Sequence, residues 1–372
     1  MGGSHGSEVL VRSEGGDYRV LIEPGALRRL PELLAAHAPA HRYALVADSN
    51  VAPLYGVEAA RACEAAGVQA DLFVFPAGER QKTRQWWAIL TDRLLSAGLG
   101  RDIVVVAIGG GVTGDLAGFV AATYLRGVPL VQVPTSVVAM VDASVGGKTG
   151  VDLPTGKNLV GAFHPPRLVV VDPETVATLP VGERADGLAE AVKHGAIADA
   201  GYLSELVAGA AALLSGDPTA ICSAVCRSVE LKAGIVSADE REDGLRQVLN
   251  FGHTLGHALE VACSYQMGHG TAVAAGMILE ARLGERLGVT EPGTAGRIQE
   301  ALGCFGLRSI PLPPSVPALM GLLGTDKKAR RGEVHFVLLA RLGEVARGGE
   351  GWSHRVPARL VEEVLGNAAT EA

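Results

Sequence analysis

The residues best suited to chemistry lie in the second half of the chain. In NFGHTLGHALE, His253 and His257 stand four apart and so project from one face of a helix. Twelve residues beyond, His269 sits in MGHGTAVAAGM at the start of another helical stretch, and earlier GLAEAVKHG offers Glu190 with Lys193 one turn on. Two or three imidazoles with one carboxylate, leaving a position open, form a catalytic zinc pattern in which the metal acts as a Lewis acid. A histidine pair alone is more often structural, but a third histidine and a carboxylate in apolar helices reverse that preference. Spacing by itself selects both His253 and His257 as ligands.

Nucleotide chemistry is suggested earlier, at IVVVAIGGGVTGDLAGFVA, where a buried strand, a glycine turn and a helix place Gly109, Gly111 and Gly114 in a GxGxxG spacing. Such glycines let backbone N–H groups and a positive helix end approach a pyrophosphate. The match departs from the usual fingerprint, because it lies on a middle strand and no acidic residue ends the next strand, PLVQVPTS. Other polar residues gather at strand ends: Asp48 and Asn50 after RYALVADSN, Glu79 and Lys82 after FVFPAGE, Thr135 and Ser136 after PLVQVPTS. Each alone reads as a helix cap; together on one sheet edge they favour a ligand. Gly110, Asp115, Asp142, Lys148, Lys157 and Thr178 complete this candidate cofactor set. The segment MVDASVGGKTGVDLPTGKNLVGAFHPP then spaces Asp142, Lys148, Lys157 and Asn158 among glycines, which suits the gripping of a phosphate and a polyol. It reads as a long, unpatterned loop, and such loops are uncommon unless functional.

These residues need scaffolding. Up to RLVVVDPE, short β-branched runs alternate with helical stretches, predicting an α/β domain with a mostly parallel, Rossmann-like sheet over residues 1–179. From residue 180 to 372 long helical patterns dominate, including AICSAVCRSVELKAGIVSADERE and VLNFGHTLGHALEVA, with one late strand at EVHFVLLA. A chain of 372 residues with 48% hydrophobic content is expected to form two such domains. A formal charge of -7 argues against nucleic-acid binding. The five cysteines form no CxxC pair and read as core residues of a reducing compartment. Without a signal-like start or a membrane-length apolar run, a cytoplasmic protein is expected.

Several blocks, in order, resemble those of 3-dehydroquinate synthases: GGGVTGDLAGFVAATYLRG, VQVPTSVVAMVDASVGGKTGVDLPTGKNLVGAF, GLAEAVKHG, ELKAGIVSADEREDGLRQVLNFGHTLGHALE, GHGTAVAAGM and DKKARRGEVHFVLL. The resemblance runs from about residue 42 to about residue 345. It implies metal ligation by Glu190, His253 and His269, with His257 facing the substrate, and so overrides the spacing argument. It implies substrate contacts from Arg126, Asp142, Lys148, Lys157, Asn158, Lys193, Lys232, Glu242, Arg246, Asn250, His257 and Lys327, with Lys328 able to take the place of Lys327. It implies NAD and one divalent metal, Zn or Co, a sugar-acid phosphate substrate and a homodimer. The chemistry implied is transient oxidation by NAD, β-elimination of phosphate, re-reduction, ring opening and aldol closure, with the leaving phosphate able to take the proton itself. The alternatives are a sister cyclase using an amino analogue or a carboxylate-free sugar phosphate, a metal-dependent polyol dehydrogenase of the same fold, and a binding protein without activity.

Overall fold

The computed structural model describes residues 6–154, 156–263, 266–309, 316–325, 334–349 and 351–371; Lys327 and Lys328 lie outside them. The chain forms two compact units, Met1–Leu179 with Gly216–Glu240, and Pro180–Ser215 with Arg241–Ala372.

In the first unit, β1 (Ser7–Val11), β2 (Tyr18–Ile22), β3 (Arg42–Asp48), β4 (Ala70–Phe75), β5 (Ile103–Gly109), β6 (Leu130–Pro134) and β9 (Leu168–Val171) make one sheet, in the order β1-β2-β9-β6-β5-β3-β4. All pairings are parallel except β1 with β2. Every residue of β5 is buried, because successive side chains point to opposite, equally covered faces. Val104, Val106 and Ile108 meet Leu30 and Leu34 of α1 (Leu30–His37) and Ala59 and Cys63 of α2 (Val57–Ala65). Ile103, Val105 and Ala107 meet Leu90 and Leu94 of α3 (Arg84–Ser96) and Leu116 and Val120 of α4 (Gly111–Thr123). Each such fully buried leucine stabilises the fold by ~1.5–3 kcal/mol.

The segment read as an unpatterned loop is a hairpin, β7 (Lys148–Leu153) with β8 (Gly156–Phe163). Its glycines hid the alternation and are there for close approach: a Cβ on Gly161 would lie 2.1 Å from the carbonyl oxygen of Thr149. Strand β1, which the sequence pattern did not reveal, lies at the edge of the sheet.

The second unit holds α5 (Val181–Ala198), α6 (Ala200–Ala208), α7 (Ala210–Ser215), α9 (His253–Ala262) and α10 (His269–Leu287). The intervening α8 (Pro218–Ala238), expected in the helical domain, instead belongs to the first unit, where Ser237 Oγ accepts from the Arg12 amide at 3.0 Å. Its apolar residues, Ile221, Val225, Val229 and Val236, are buried, and periodicity alone cannot say which neighbour buries them. The helix expected through VLNFGHTLGHALEVA is broken: a 3-10 turn, Leu245–Asn250, ends before Gly252, whose φ of 80° starts α9 afresh at His253. The single late strand is two short ones, His335–Phe336 and Leu339–Arg341. Among the cysteines only Cys63 is fully buried; Cys304 is exposed, and none of the five is in a disulfide.

Candidate active site

In the first unit the strand order reverses between β3, which leads outward to β4, and β5, which leads the other way to β6. Ligands of open α/β sheets collect at the carboxyl ends beside such a reversal. Asp48 ends β3 there: one carboxylate oxygen accepts from the amides of Asn50 and Val51 at 2.8 and 3.0 Å, the other from Thr113 Oγ1 of α4 at 3.2 Å. It therefore caps the turn and ties it to the glycine loop, while Asn50 is exposed.

After β5, Gly110 is extended and α4 begins at Gly111, so the first amides of α4 point toward the sheet edge. Thr135 donates its amide to Gly109 at 2.9 Å. The buried hydroxyl of Ser136 has no hydrogen-bond partner among the described residues, and a Cβ on Gly110 would come within 3.2 Å of it. An unpartnered hydroxyl beside a glycine-lined helix start fits a phosphate-bearing cofactor such as NAD. Thr178, by contrast, is engaged locally, its hydroxyl 2.6 Å from Tyr55 Oη.

Beside this edge Lys82, 4% exposed, gathers three carboxylates: Glu79 at 3.2 Å, Asp115 at 3.2 Å and Asp152 at 3.6 Å, with Lys157 3.3 Å from Glu79. Burial would lower the lysine, but Asp115, Glu79 and Asp152 outweigh it and hold the ammonium charged. Burial pushes Asp115 up to about 6 despite Lys82. Burial would raise Glu79 too, yet Lys82 and Lys157 bring it below the ordinary carboxylate range.

Asp152 had not been singled out from the sequence. Its amide donates to the Lys82 carbonyl at 2.7 Å, and its carboxylate accepts from the Asn158 amide at 2.8 Å, where Asn158 has a φ of 54°. It thereby fixes the hairpin end that carries Lys157 and Asn158. Lys148 is exposed at the start of β7. Lys232 of α8 binds Asp142 twice, at 2.7 Å to the carboxylate and 2.6 Å to the carbonyl. Arg126 is exposed and, with Leu125, takes a left-handed backbone conformation, φ 71° and 47°.

In the second unit Glu190 of α5 meets both expected histidine ligands: its Oε1 lies 3.5 Å from His253 Nε2 and 3.3 Å from His269 Nε2. Ligands of a tetrahedral zinc, each ~2.0–2.1 Å from the ion, are ~3.3 Å from one another. The donor set thus fits a divalent cation. Buried Lys193 pairs with the other oxygen of Glu190. His257 is exposed and its ring lies edge-on to that of His253 at 5.3 Å; with Glu260 and His269 it forms an alternative donor group.

Glu260 was not singled out from the sequence either, although it stands three residues after His257. This nearly fully buried carboxylate lies 3.4 Å from His269 Nδ1. A carboxylate on the second nitrogen fixes the tautomer that presents Nε2 to a metal, which favours the Glu190 set over the alternative. Burial, then Lys193, holds His253 well below the ordinary imidazole value. Burial would lower His269 as well, but Glu190 and Glu260 push it up to about 10. Arg246, 2% exposed, lies in the 3-10 turn, whose last residue Asn250 donates to the Glu242 carboxylate.

A nucleotide-type sheet edge in one unit and a carboxylate–imidazole donor set in the other are what a sugar phosphate cyclase requires. The solved structures agree: 2-deoxy-scyllo-inosose synthase complexed with carbaglucose-6-phosphate, NAD+ and Co2+ matches with a TM-score of 0.89 at 25% identity, covering 96% of this chain and 99% of that one. The 2-epi-5-epi-valiolone synthase of Streptomyces hygroscopicus subsp. jinggangensis, with NAD+ and Zn2+ bound, matches with a TM-score of 0.86 at 29% identity over 95% and 97% of the two chains. Within that class the chain belongs to the 3-dehydroquinate synthase family, whose N-terminal model matches residues 72–186 and whose C-terminal model matches 187–329. The 3-dehydroquinate synthase of Symbiobacterium thermophilum is 47% identical over 335 residues, covering 88% of this chain and 92% of that protein.

Proposed function

We propose that the protein is a carbon–oxygen lyase converting 3-deoxy-D-arabino-heptulosonate 7-phosphate into 3-dehydroquinate and phosphate. In a chain of this family, the observation that carries the reading is the Glu190–His253–His269 set at ligand-edge spacing. Those three residues would hold a divalent cation, Zn or Co. The glycine turn at Gly110 and Gly111, with Asp48, Asn50, Glu79, Lys82, Asp115, Thr135, Ser136 and Thr178, would hold NAD. When bound, NAD supplies a reversible hydride acceptor and the metal a Lewis acid for the oxygen that is oxidised.

The chain's own groups do the rest. Lys148, Lys157 and Asn158 serve as phosphate and polyol binders, and Asp152 holds the last two in place. Glu79, kept ionised by Lys82 and Lys157, orients the Lys157 ammonium. Arg246, with its planar fork, suits the substrate carboxylate; Arg126, Asp142, Lys193, Lys232, Glu242, Asn250 and His257 complete the substrate contacts, and the leaving phosphate can itself take the proton. Glu260 keeps His269 in the tautomer needed for ligation. We read the protein further as a cytoplasmic homodimer. No helix among the described residues is long and apolar enough to cross a membrane.

The test is to supply NAD, zinc and the seven-carbon keto acid phosphate and follow phosphate. Release over many turnovers per NAD, with no net rise in NADH absorbance, is expected. NADH accumulating in step with turnover would make this a polyol dehydrogenase. Equal turnover of a sugar phosphate lacking the carboxylate would make it a sister cyclase.

A further inference from the structure

The helices that supply His253 and His269 begin at those histidines, α9 at His253 and α10 at His269. The first amides of each therefore need acceptors from outside the helix. Neither preceding residue offers a side chain, since both are glycines, Gly252 and Gly268.

The acceptors are carboxylates on the neighbouring helix. Asp186, one turn ahead of Glu190 on α5, accepts from the amides of Gly270 and Thr271 at 2.9 and 2.7 Å and from Thr271 Oγ1 at 3.0 Å. Glu280, in the body of α10 and fully buried, accepts from the amides of Gly252 and Leu255 at 2.7 and 3.1 Å. The order is directional: the helix carrying Glu190 caps the helix carrying His269, which in turn caps the helix carrying His253. Each carboxylate takes two amides at once, one on each oxygen, and the positive helix start favours an acceptor there.

Glycines remove the slack. A Cβ on Gly270 would stand 1.7 Å from the Asp186 carbonyl oxygen, and one on Gly276 1.9 Å from the Gly252 carbonyl oxygen. Backbones in such contact cannot slide to compensate for a lost cap.

We propose that Asp186 and Glu280 are positioning residues for the metal: by fixing where α10 and α9 start, they set where His269 and His253 present their nitrogens, and hence metal affinity and coordination geometry. The proposal rests on Glu190, His253 and His269 being the ligands. Neither carboxylate belongs to a candidate donor group among the described residues. Changing groups that orient metal ligands typically costs ~10–100-fold in metal affinity, and that is the expected loss for Asp186→Asn and Glu280→Gln, which keep size and one acceptor oxygen but turn the other into an NH2 donor facing an amide.

The experiment measures Co2+ affinity and the visible Co2+ absorption bands of the full-length protein, well below its unfolding temperature, alongside NAD affinity. Weakened binding with displaced bands and unchanged NAD affinity is expected for both variants. Asp217→Asn makes the same exchange at the cap of α8, a helix without a metal ligand, and is expected to leave Co2+ binding as in wild type. Should Glu280→Gln not fold, Asp186→Asn and Thr271→Ala carry the test. Wild-type protein that takes up no Co2+, or His269→Ala protein that binds it normally, would overturn the ligand assignment itself. Normal wild-type binding, loss in His269→Ala, and wild-type affinity and bands in Asp186→Asn and Glu280→Gln would overturn the positioning role alone.

Discussion

The two candidate sites are built on opposite plans. The first unit assembles its charged cluster from strand ends and a hairpin, and several members, such as Lys148 and Asn158, are exposed. Within the cluster, Glu79, Asp115 and Asp152 are held by ion pairing around Lys82. The second unit hangs its donors on apolar helices that touch through glycine, with carboxylates closing the helix starts. Ion pairing among partly wet groups tolerates adjustment, as suits a cofactor and a phosphate that enter and leave. Interlocked helices hold a small ion in one geometry.

The contrast can be broken most severely at His269. Its replacement by alanine removes one of the three proposed ligands, and the expected outcome is loss of bound metal with a fall of ~10³-fold or more in kcat/KM, about 4 kcal/mol. Metal analysis and phosphate-release kinetics check it, and full activity in this variant or after exhaustive chelation would refute the metal site. Next is Arg246, where loss of a buried partner to a carboxylate costs ~2–5 kcal/mol, or roughly thirty- to several-thousand-fold. Both Arg246→Ala and Arg246→Lys are expected to lose kcat/KM on this scale while NAD affinity stays constant, since a lysine lacks the bidentate fork. Were buried Arg246 only a structural partner within its own turn, both variants would lose stability while the folded fraction kept near-normal kcat/KM.

The smallest effect sharpens the picture of the first unit. Asp115 rises from 3.8 to about 6 on folding, so between those values the folded protein holds a proton that the unfolded chain has released. Stability from this group is therefore present in mild acid and lost as pH climbs through 6. Asp152, raised by burial, acts in the same direction, and Glu79, lowered by Lys82 and Lys157, acts against it. Urea midpoints from pH 4 to 7 for wild type and Asp115→Asn are expected to differ in slope, the variant falling less as pH rises. Parallel curves would show that Asp115 is ionised throughout.

What could be read from sequence was what periodicity and residue type record locally. A fully apolar IVVVAIG run can only be a doubly covered strand, and a Glu and three His in apolar helices advertise a metal. Pairing that spans distance was invisible: β1 and β7–β8 are recognised as strands only through their partners, and glycine, which suppresses the alternating pattern, is the residue that lets β7 and β8 approach. The break at Gly252 followed the same logic, because nothing in NFGHTLGHALE distinguishes a continuous helix from one restarted at His253. Asp186 and Glu280 read as ordinary helical acids, since a cap across helices leaves no spacing signature in either. Asp186 is four residues before Glu190, but that interval acquires meaning only once α10 is seen to start against it.

The return of α8 to the first unit has a consequence for the order in which the protein is made. Glu240 closes the first unit by accepting from Ser13 Oγ at 3.0 Å and from the Glu14 amide at 2.6 Å, yet it is translated about 60 residues after the last residue of that unit's main block, Leu179. At ~5–20 residues per second the ribosome takes roughly 3–12 s to deliver it. Throughout that interval the nascent sheet lacks the helix destined for its β1–β2 side, and α5, α6 and α7 are synthesised first. A released fragment ending at residue 179 should therefore be easier prey for proteases than one ending at 240, although every strand of the sheet is present in both.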